Sequence, residues 1–197
     1  REGRFDRAGL TVIDYSLPST EKRLWVIDML RNRVLHHELV AHGEGSGYGA
    51  RAFAFSNDIG SHQSSLGLFR TDEVYNGRFG YSLRLSGLEP AINDRARERA
   101  IVLHGQTNVS ESFASRWGMV GLSWGCPAVP ADVAPRIIDT IAGGSAMFAY
   151  SPDQDWLRSS RYVDCARRTS AGVRVVNGGA DSSGEPRPVR RDWEGSL

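Results

Sequence analysis

The first half of the chain contains five runs that are rich in β-favouring residues, at 10–15, 23–29, 34–41, 66–70 and 81–85. In the last two of these runs hydrophobic and other residues alternate, and a period of two is typical of β-strands that have one buried face. The first three runs are separated by short turn-forming stretches and predict a meander. Asn76-Gly77 is predicted to turn the chain between the last two runs, and a shorter alternating piece at 51–55 is also strand-like.

Helical spacing appears in the second half of the chain. Two aromatic residues four positions apart predict a short helix over 111–119. A second helix is predicted after two start signals, Pro130 and Pro135, and before the Gly-Gly pair at 143–144. Its apolar face consists of Ile137, Ile138 and Ile141.

The remaining segments complete the predicted domain. Residues 89–100 are rich in Arg, Asp and Glu and predict a short helix or an ordered loop that leads into a strand ending at His104. A last strand is predicted at 147–150, whereas Gly, Ser, Pro and Arg dominate from 167 onward. We therefore expect a mainly β domain with a few helices (α+β) over 1–166. The C-terminal extension over 167–197 is expected to be partly disordered or wrapped on the domain.

Composition argues against several classes of function. The hydrophobic fraction of 40% and the charged fraction of 24% are ordinary for a globular protein of 197 residues. The net charge of +1 gives no strong positive potential that would attract nucleic acid. Lys22 is the single lysine, which we attribute to compositional bias. No apolar run approaches the roughly 18 residues of a membrane span. The sequence begins at Arg1 without a signal-peptide pattern, as expected of a processed form. We also expect a monomer.

Candidate chemistry is concentrated between His104 and Cys126. Three apolar residues lead to His104-Gly105 at a predicted strand end, and Cys126 follows 22 residues later within Ser-Trp-Gly-Cys-Pro. A thiol with a pKa of roughly 8.5 is only a few per cent thiolate at neutral pH, so a nucleophilic Cys usually has an imidazole within reach. The pattern therefore indicates Cys126 as nucleophile and His104 as general base, although the spacing alone does not bring them together. The backbone N–H groups of Gly125 and Cys126 are candidates for an oxyanion hole.

These residues resemble the signature of a known family. A His-Gly pair followed by S-x-G-C-P resembles the L,D-transpeptidase (YkuD-type) catalytic domain, in its divergent murein L,D-transpeptidase branch. Upstream, Ser64-Ser65-Leu66-Gly67-Leu68-Phe69 stands where the family carries a T-P-x-G-x-F strand, and the resemblance covers roughly 10–150. Two departures are visible. Trp124 replaces the second His of the commoner S-H-G-C pattern, and Pro127-Ala128 replaces a polar pair, so His104 must act alone.

The resemblance implies a fold, a reaction and a location. It implies an L,D-transpeptidase-like β-sandwich of mixed sheets, in which the carbonyl of Gly105 orients His104. The implied reaction is acyl transfer between donor and acceptor peptidoglycan stem peptides through a thioester on Cys126, without a cofactor. An amine would resolve the thioester into a cross-link, whereas water would give an L,D-carboxypeptidase. Acylation of the Cys by carbapenems and a periplasmic or secreted location are also implied.

Five polar or aromatic residues are candidates for the substrate groove. Two flank the nucleophile, one occupies the Pro position of the T-P-x-G-x-F strand, and two lie in upstream loop and strand segments. They are Ser123, Trp124, Ser65, His62 and Tyr81.

Two alternatives remain open at this point. In the first, Cys126 is a buried structural thiol, or it joins Cys165 in a disulfide of a non-catalytic, secreted wall-binding module. In the second, the protein is a zinc hydrolase. That function requires three ligands, and His42, His62 and His104 show no recognisable metal spacing. We therefore expect no metal site.

Overall fold

The computed structural model describes residues 5–163, which contain eight β-strands and three α-helices. The strands are β1 (Gly9–Asp14), β2 (Leu24–Asp28), β3 (Arg33–Glu38), β4 (Gly67–Gly77), β5 (Gly80–Gly87), β6 (Val102–Gln106), β7 (Ala128–Pro130) and β8 (Ala146–Tyr150). The helices are α1 (Glu111–Trp117), α2 (Ala134–Ile141) and α3 (Gln154–Ser159). The predicted mainly β fold with a few helices is confirmed.

Hydrogen bonds join the strands into one mixed sheet in the order β3-β2-β1-β8-β4-β5-β6-β7. The pairs β1–β8 and β6–β7 are parallel, and the other neighbours are antiparallel. Beyond β3 the chain reaches the opposite edge of the sheet. There the N–H of Ala41 donates to the carbonyl of Ala128 at 2.8 Å, and Gly43 forms a parallel bridge with Ser123. The sheet is therefore nearly closed, and Cys126 lies in the segment where it closes.

The core forms where the period-two pattern places apolar side chains on the inner face of the sheet. Strand β2 shows this directly, because Leu24 and Val26 are fully buried while Trp25 and Ile27, which alternate with them, are only half-buried. Helix α2 adds Ile137, Ile138 and Ile141, each with no exposed surface. The predicted apolar face of this helix is confirmed, but Pro130 ends β7 and only Pro135 lies in the first turn of the helix.

Helix α1 joins the strand that carries His104 to the segment that carries Cys126. Ser110 Oγ accepts a hydrogen bond from the N–H of Phe113 at 3.1 Å and caps the first turn, a contact that typically contributes about 1 kcal/mol. Gly118 ends the helix with a φ of +69°. The helix predicted over 111–119 is confirmed.

The hairpin of β4 and β5 turns two residues later than Asn76-Gly77 predicts. Gly77 pairs with Gly80, so Arg78 and Phe79 form the turn. This shift places the Phe79 ring at the tip of the hairpin, where half of the residue's surface is exposed.

The alternating piece at 51–55 is not a strand. The N–H groups of Phe53 and Ala54 both donate to the carbonyl of Ser46, at 3.0 and 3.2 Å. Ser46 belongs to a loop that contains a 3-10 helix at Glu44–Ser46. The alternation therefore has no strand partner, because its backbone groups bond to a loop.

Two predictions fall on residues that the structure does not describe. The proposed extension at 167–197 and the second cysteine, Cys165, both lie outside 5–163. Within 5–163, no helix has the length and apolar character needed to cross a membrane.

Candidate active site

His104 and Cys126 line the same pocket, which has a volume of about 380 Å³. His104 comes from β6, and Cys126 comes from the segment between α1 and β7. Other walls come from the β4–β5 turn, from the end of the segment before β6, from the last residue of β6 and from the segment before Cys126. These residues are Arg78, Phe79, Arg99, Ala100, Gln106, Leu122, Ser123 and Trp124.

The His104 side chain is held in a neutral form that can accept a proton. Its Nδ1 lies 2.9 Å from the carbonyl oxygen of Gly105. A carbonyl can only accept a hydrogen bond, so we assign the proton to Nδ1 and leave Nε2 as the basic nitrogen. Burial lowers the pKa of His104, which favours this neutral form. The Phe79 ring stacks on the imidazole with 4.3 Å between centroids and 17° between planes.

Cys126 is a free thiol that is 7% exposed. Its Sγ accepts a hydrogen bond from the N–H of Val102 at 3.5 Å and donates to the carbonyl of Ala100 at 3.7 Å. Both partners belong to the segment that leads into His104. Burial raises the pKa of the Cys126 thiol, while the Val102 N–H and the positive charge of Arg99 oppose that rise.

The turn before Cys126 requires glycine at position 125. Gly125 has a φ of +106°, and a Cβ added there would stand 2.6 Å from the carbonyl oxygen of Gln63. Ser123 fixes this turn from inside, because its Oγ donates to the carbonyl of Cys126 at 2.6 Å and accepts from the N–H of Gly125 at 3.2 Å. The Gly125 N–H is therefore occupied, whereas the Cys126 N–H makes no hydrogen bond to the described part of the chain.

A family model described as the L,D-transpeptidase catalytic domain matches residues 1–150 of this sequence. The chain belongs to this family. No curated protein has a significantly similar sequence.

Several solved structures resemble this member of the L,D-transpeptidase family at low identity. The helical cell shape determining protein Pgp2 (K307A mutant) from Campylobacter jejuni is 12% identical with a TM-score of 0.49, covering 78% of this chain and 50% of Pgp2. An L,D-transpeptidase from Mycobacterium smegmatis is 13% identical with a TM-score of 0.44, and the match covers 73% of this chain and 59% of that one. An L,D-transpeptidase from Xylanimonas cellulosilytica is 15% identical with a TM-score of 0.41, and the match covers 76% of this chain and 63% of that one. This chain thus spans between half and two thirds of those solved chains.

One of the predicted groove residues, Trp124, forms the rim of the pocket in this L,D-transpeptidase domain, and a second, His62, stacks on it. Trp124 is 61% exposed and stacks on His62 with 4.6 Å between centroids and 4° between planes. His62 Nδ1 lies 2.8 Å from Glu44 Oε1. Trp124 lines the pocket and His62 supports it from behind without being part of the lining.

The other three predicted groove residues are placed differently. Ser123 lines the pocket, but its hydroxyl is used within the turn as described above. Ser65 is buried, donates to the carbonyl of Ser56 at 2.8 Å and accepts from Arg99 at 2.6 Å. The hydroxyl of Tyr81 donates to Asp139 on α2 at 2.6 Å, and Tyr81 does not line the pocket. The structure therefore brings Trp124 and Ser123 to Cys126, but not Ser65 or Tyr81.

The histidines considered as zinc ligands each have other partners. His42 is fully buried; its Nδ1 lies 2.9 Å from Arg23 Nη2 and its Nε2 lies 3.1 Å from the carbonyl of Gly47. Burial, together with the charge of Arg23, lowers the pKa of His42 to about 4. Among residues 5–163, no group of three or more His, Cys, Asp or Glu side chains is arranged to hold a metal ion.

Sequence reasoning missed Phe79 and Arg99 as parts of this site. Arg99 stands five residues before His104, on the same segment whose Ala100 carbonyl and Val102 N–H contact the thiol. That proximity in sequence was an available signal for Arg99. No comparable local signal exists for Phe79, because its contact with His104 depends on how far the hairpin extends.

Proposed function

We propose that this chain is a peptidoglycan L,D-transpeptidase in which Cys126 is the nucleophile and His104 the general base. One observation carries the proposal. The two side chains line one pocket, and the bond from His104 Nδ1 to the Gly105 carbonyl leaves Nε2 free to take a proton. Membership of the L,D-transpeptidase family supports the choice of substrate, a stem peptide of the cell wall.

These positions support the following first half-reaction. The Cys126 thiol turns from the Ala100 carbonyl toward His104, and Nε2 removes its proton. The thiolate attacks the peptide carbonyl carbon at an L-centre of the donor stem, and the developing oxyanion is stabilised by the Cys126 N–H. The C–N bond then breaks, the leaving amine takes the proton from His104, and a thioester remains on Cys126.

The second half-reaction regenerates the thiol. An amine of an acceptor stem loses a proton to His104 and attacks the thioester carbonyl, and the C–S bond breaks as Cys126 Sγ takes the proton back. If water attacks instead, the same residues act as an L,D-carboxypeptidase. Both reactions require access to cell-wall peptides, so we propose that the protein acts in the periplasm or cell envelope.

The decisive test uses reduced protein and purified muropeptides. Cys126→Ala is expected to abolish turnover, whereas Cys165→Ala keeps most of it, with both variants folded by circular dichroism. Chromatography of the products separates cross-linked dimers from trimmed stems, which distinguishes the transpeptidase from the carboxypeptidase. Equal loss in the two variants would instead favour a structural disulfide in a wall-binding module.

A carbapenem provides an independent test of the acyl-enzyme step. Its strained ring presents an acyl carbon to the thiolate, so intact mass should rise by one drug mass, and digestion should map the addition to Cys126. Cys126→Ala should show no addition. An adduct at Cys165 would contradict the assignment of the nucleophile.

A further inference from the structure

Arg99 lies directly beside the Cys126 turn. It lines the pocket together with Cys126 and His104. Its Nη2 lies 3.3 Å from where a Cβ on Gly125 would stand. The next residue, Ala100, has a φ of +54° and directs its carbonyl to the thiol. The Arg99 side chain and the backbone that follows it therefore both lie against Cys126 and the turn before it.

Four hydrogen bonds hold the Arg99 guanidinium, and every acceptor is neutral. Nη1 donates to the carbonyl of Ser56 at 2.7 Å and to Ser65 Oγ at 2.6 Å. Nη2 donates to the carbonyl of Gln63 at 2.6 Å and to Ser61 Oγ at 3.2 Å. These bonds use all four terminal N–H groups. The guanidinium edge that would donate two hydrogen bonds to a substrate carboxylate is therefore already occupied.

Neighbouring arginines on the same segment are neutralised by carboxylates, and Arg99 is not. Arg95 pairs with Glu98 at 3.0 Å, and Arg97 pairs with Asp72 at 2.7 Å. No carboxylate of residues 5–163 forms an ion pair with Arg99. Partial burial of a cation without a counter-ion is unfavourable, so the arrangement calls for an anion nearby.

We propose that Arg99 is a positioning residue that holds a fixed positive charge beside Cys126 and thereby stabilises its thiolate. The inference rests on the proposed function, because the thiolate is the anion that the reaction creates at this place. Within residues 5–163, the partner of His104 Nδ1 is the Gly105 carbonyl and not a carboxylate that would stabilise an imidazolium beside the thiolate. Arg99 would supply a positive charge at this place that does not depend on the protonation of a histidine.

Other ionisable groups also face this region and contribute to the electrostatic environment of the Cys126 thiol. His104 approaches from β6, Arg78 from the β4–β5 turn, and Tyr15 from the residue after β1. Asp58 is the carboxylate that acts on Arg99, more weakly than Cys126 does. Arg78 is exposed and lies over the Phe79 ring at 5.8 Å from its centroid, so solvent screens its charge.

The test measures the pH dependence of Cys126 alkylation by iodoacetamide in a Cys165→Ala background. Loss of an adjacent opposite charge typically raises a thiol pKa by one unit or more, so Arg99→Gln should move the alkylation midpoint about one pH unit upward and slow the neutral-pH rate ~10-fold. Arg99→Lys keeps the charge and should recover part of the shift. Arg97→Gln, which removes a paired surface arginine, should leave the midpoint unchanged.

Ser65→Ala separates the charge from the scaffold, because it removes one bond to the guanidinium and keeps the cation. We expect a lower melting temperature with an unchanged midpoint. An unmoved midpoint in Arg99→Gln, or equal shifts in Arg99→Gln and Ser65→Ala, would overturn the inference. Should Arg99→Gln not fold, a full shift in Arg99→Lys would overturn it as well. Failure of the proposed function would appear differently, as wild-type protein that forms no thioester with muropeptides, since alkylation needs no substrate.

Discussion

Two histidines near the pocket are each stacked against an exposed aromatic ring, but only one of them lines the pocket that contains Cys126. His104 stacks with Phe79, and His62 stacks with Trp124. His104 is 2% exposed, lines the pocket and bonds through Nδ1 to the Gly105 carbonyl. His62 is half-exposed and bonds through Nδ1 to the Glu44 carboxylate.

The difference shows that stacking and an oriented ring do not by themselves place an imidazole in the pocket with the thiol. Both imidazoles are fixed at Nδ1, but only His104 lies in the wall of the pocket that Cys126 shares. The commoner family pattern has a second His where this chain has Trp124. Here Trp124 instead covers a histidine from another loop, so that His62 supports the rim and His104 is the histidine that lines the pocket together with the thiol.

The largest contrast is expected between the acylation rates of His104→Ala and His62→Ala. His104→Ala should lower the rate of acylation at neutral pH at least ~100-fold, because general-base removal typically costs 10²–10⁴-fold. The rate should recover as the pH approaches the pKa of the thiol, since the thiolate then forms without a base. Stopped-flow measurement of carbapenem acylation across pH would check this.

His62→Ala is the matched control, because it removes an imidazole that is stacked in the same way but does not line the pocket. We expect a change of no more than a few-fold at any pH. Comparable losses in the two variants would break the comparison. A flat, low rate for His104→Ala at every pH would show that His104 orients the substrate or thiol instead of removing a proton.

A smaller effect is expected when the ring above His104 is removed. Burial lowers the pKa of His104, so the neutral base should persist below the ordinary imidazole range near 6.5. Phe79→Ala admits water to the imidazole and should raise this pKa toward its ordinary value. The acidic limb of the acylation profile should therefore move to higher pH, with little change on the plateau.

Phe53 provides the control for that experiment, because it is also an exposed aromatic residue, at 77%, and does not line the pocket. Phe53→Ala should leave the acidic limb in place. If Phe79→Ala leaves it in place too, stacking on Phe79 does not account for the desolvation of His104, and the backbone around β6 must provide it.

Much of the fold could be predicted from local patterns, because burial of one strand or helix face leaves a regular trace in the sequence. The alternation of Leu83, Arg84 and Leu85 in β5 and the spacing of the three isoleucines of α2 are examples. The 51–55 piece shows the limit, since alternation does not reveal whether a neighbouring strand is available. The motif predicts that Cys126 and His104 act together, and in the structure both side chains line one pocket.

Other parts of the site depend on contacts between distant residues. Tyr81 illustrates this, because the adjacent Ser82 pairs with His104 and successive side chains of a strand point to opposite faces. Tyr81 therefore points toward α2. Phe79 reaches His104 only because the hairpin continues two residues beyond Asn76-Gly77, and a shift of that size is not visible in the turn signal. In the sequence Arg99 looks like its neighbouring arginines, and only the structure shows that no carboxylate of residues 5–163 forms an ion pair with it.

The last prediction concerns Trp124→His, which should have the smallest effect on stability and the most specific effect on products. The Trp124 side chain is 61% exposed, so the substitution should change the free energy of unfolding by no more than about 1 kcal/mol. The substitution replaces an apolar rim with a polar ring next to Cys126, and should change which acceptor or linkage is preferred. Chromatography of products from a defined mixture of muropeptides would show this.

His62→Ala keeps Trp124 but removes its stacking partner, so it should shift the same preference less. An unchanged product profile in Trp124→His would mean that the indole covers His62 without contacting substrate, and that specificity resides on the opposite wall, at the β4–β5 turn.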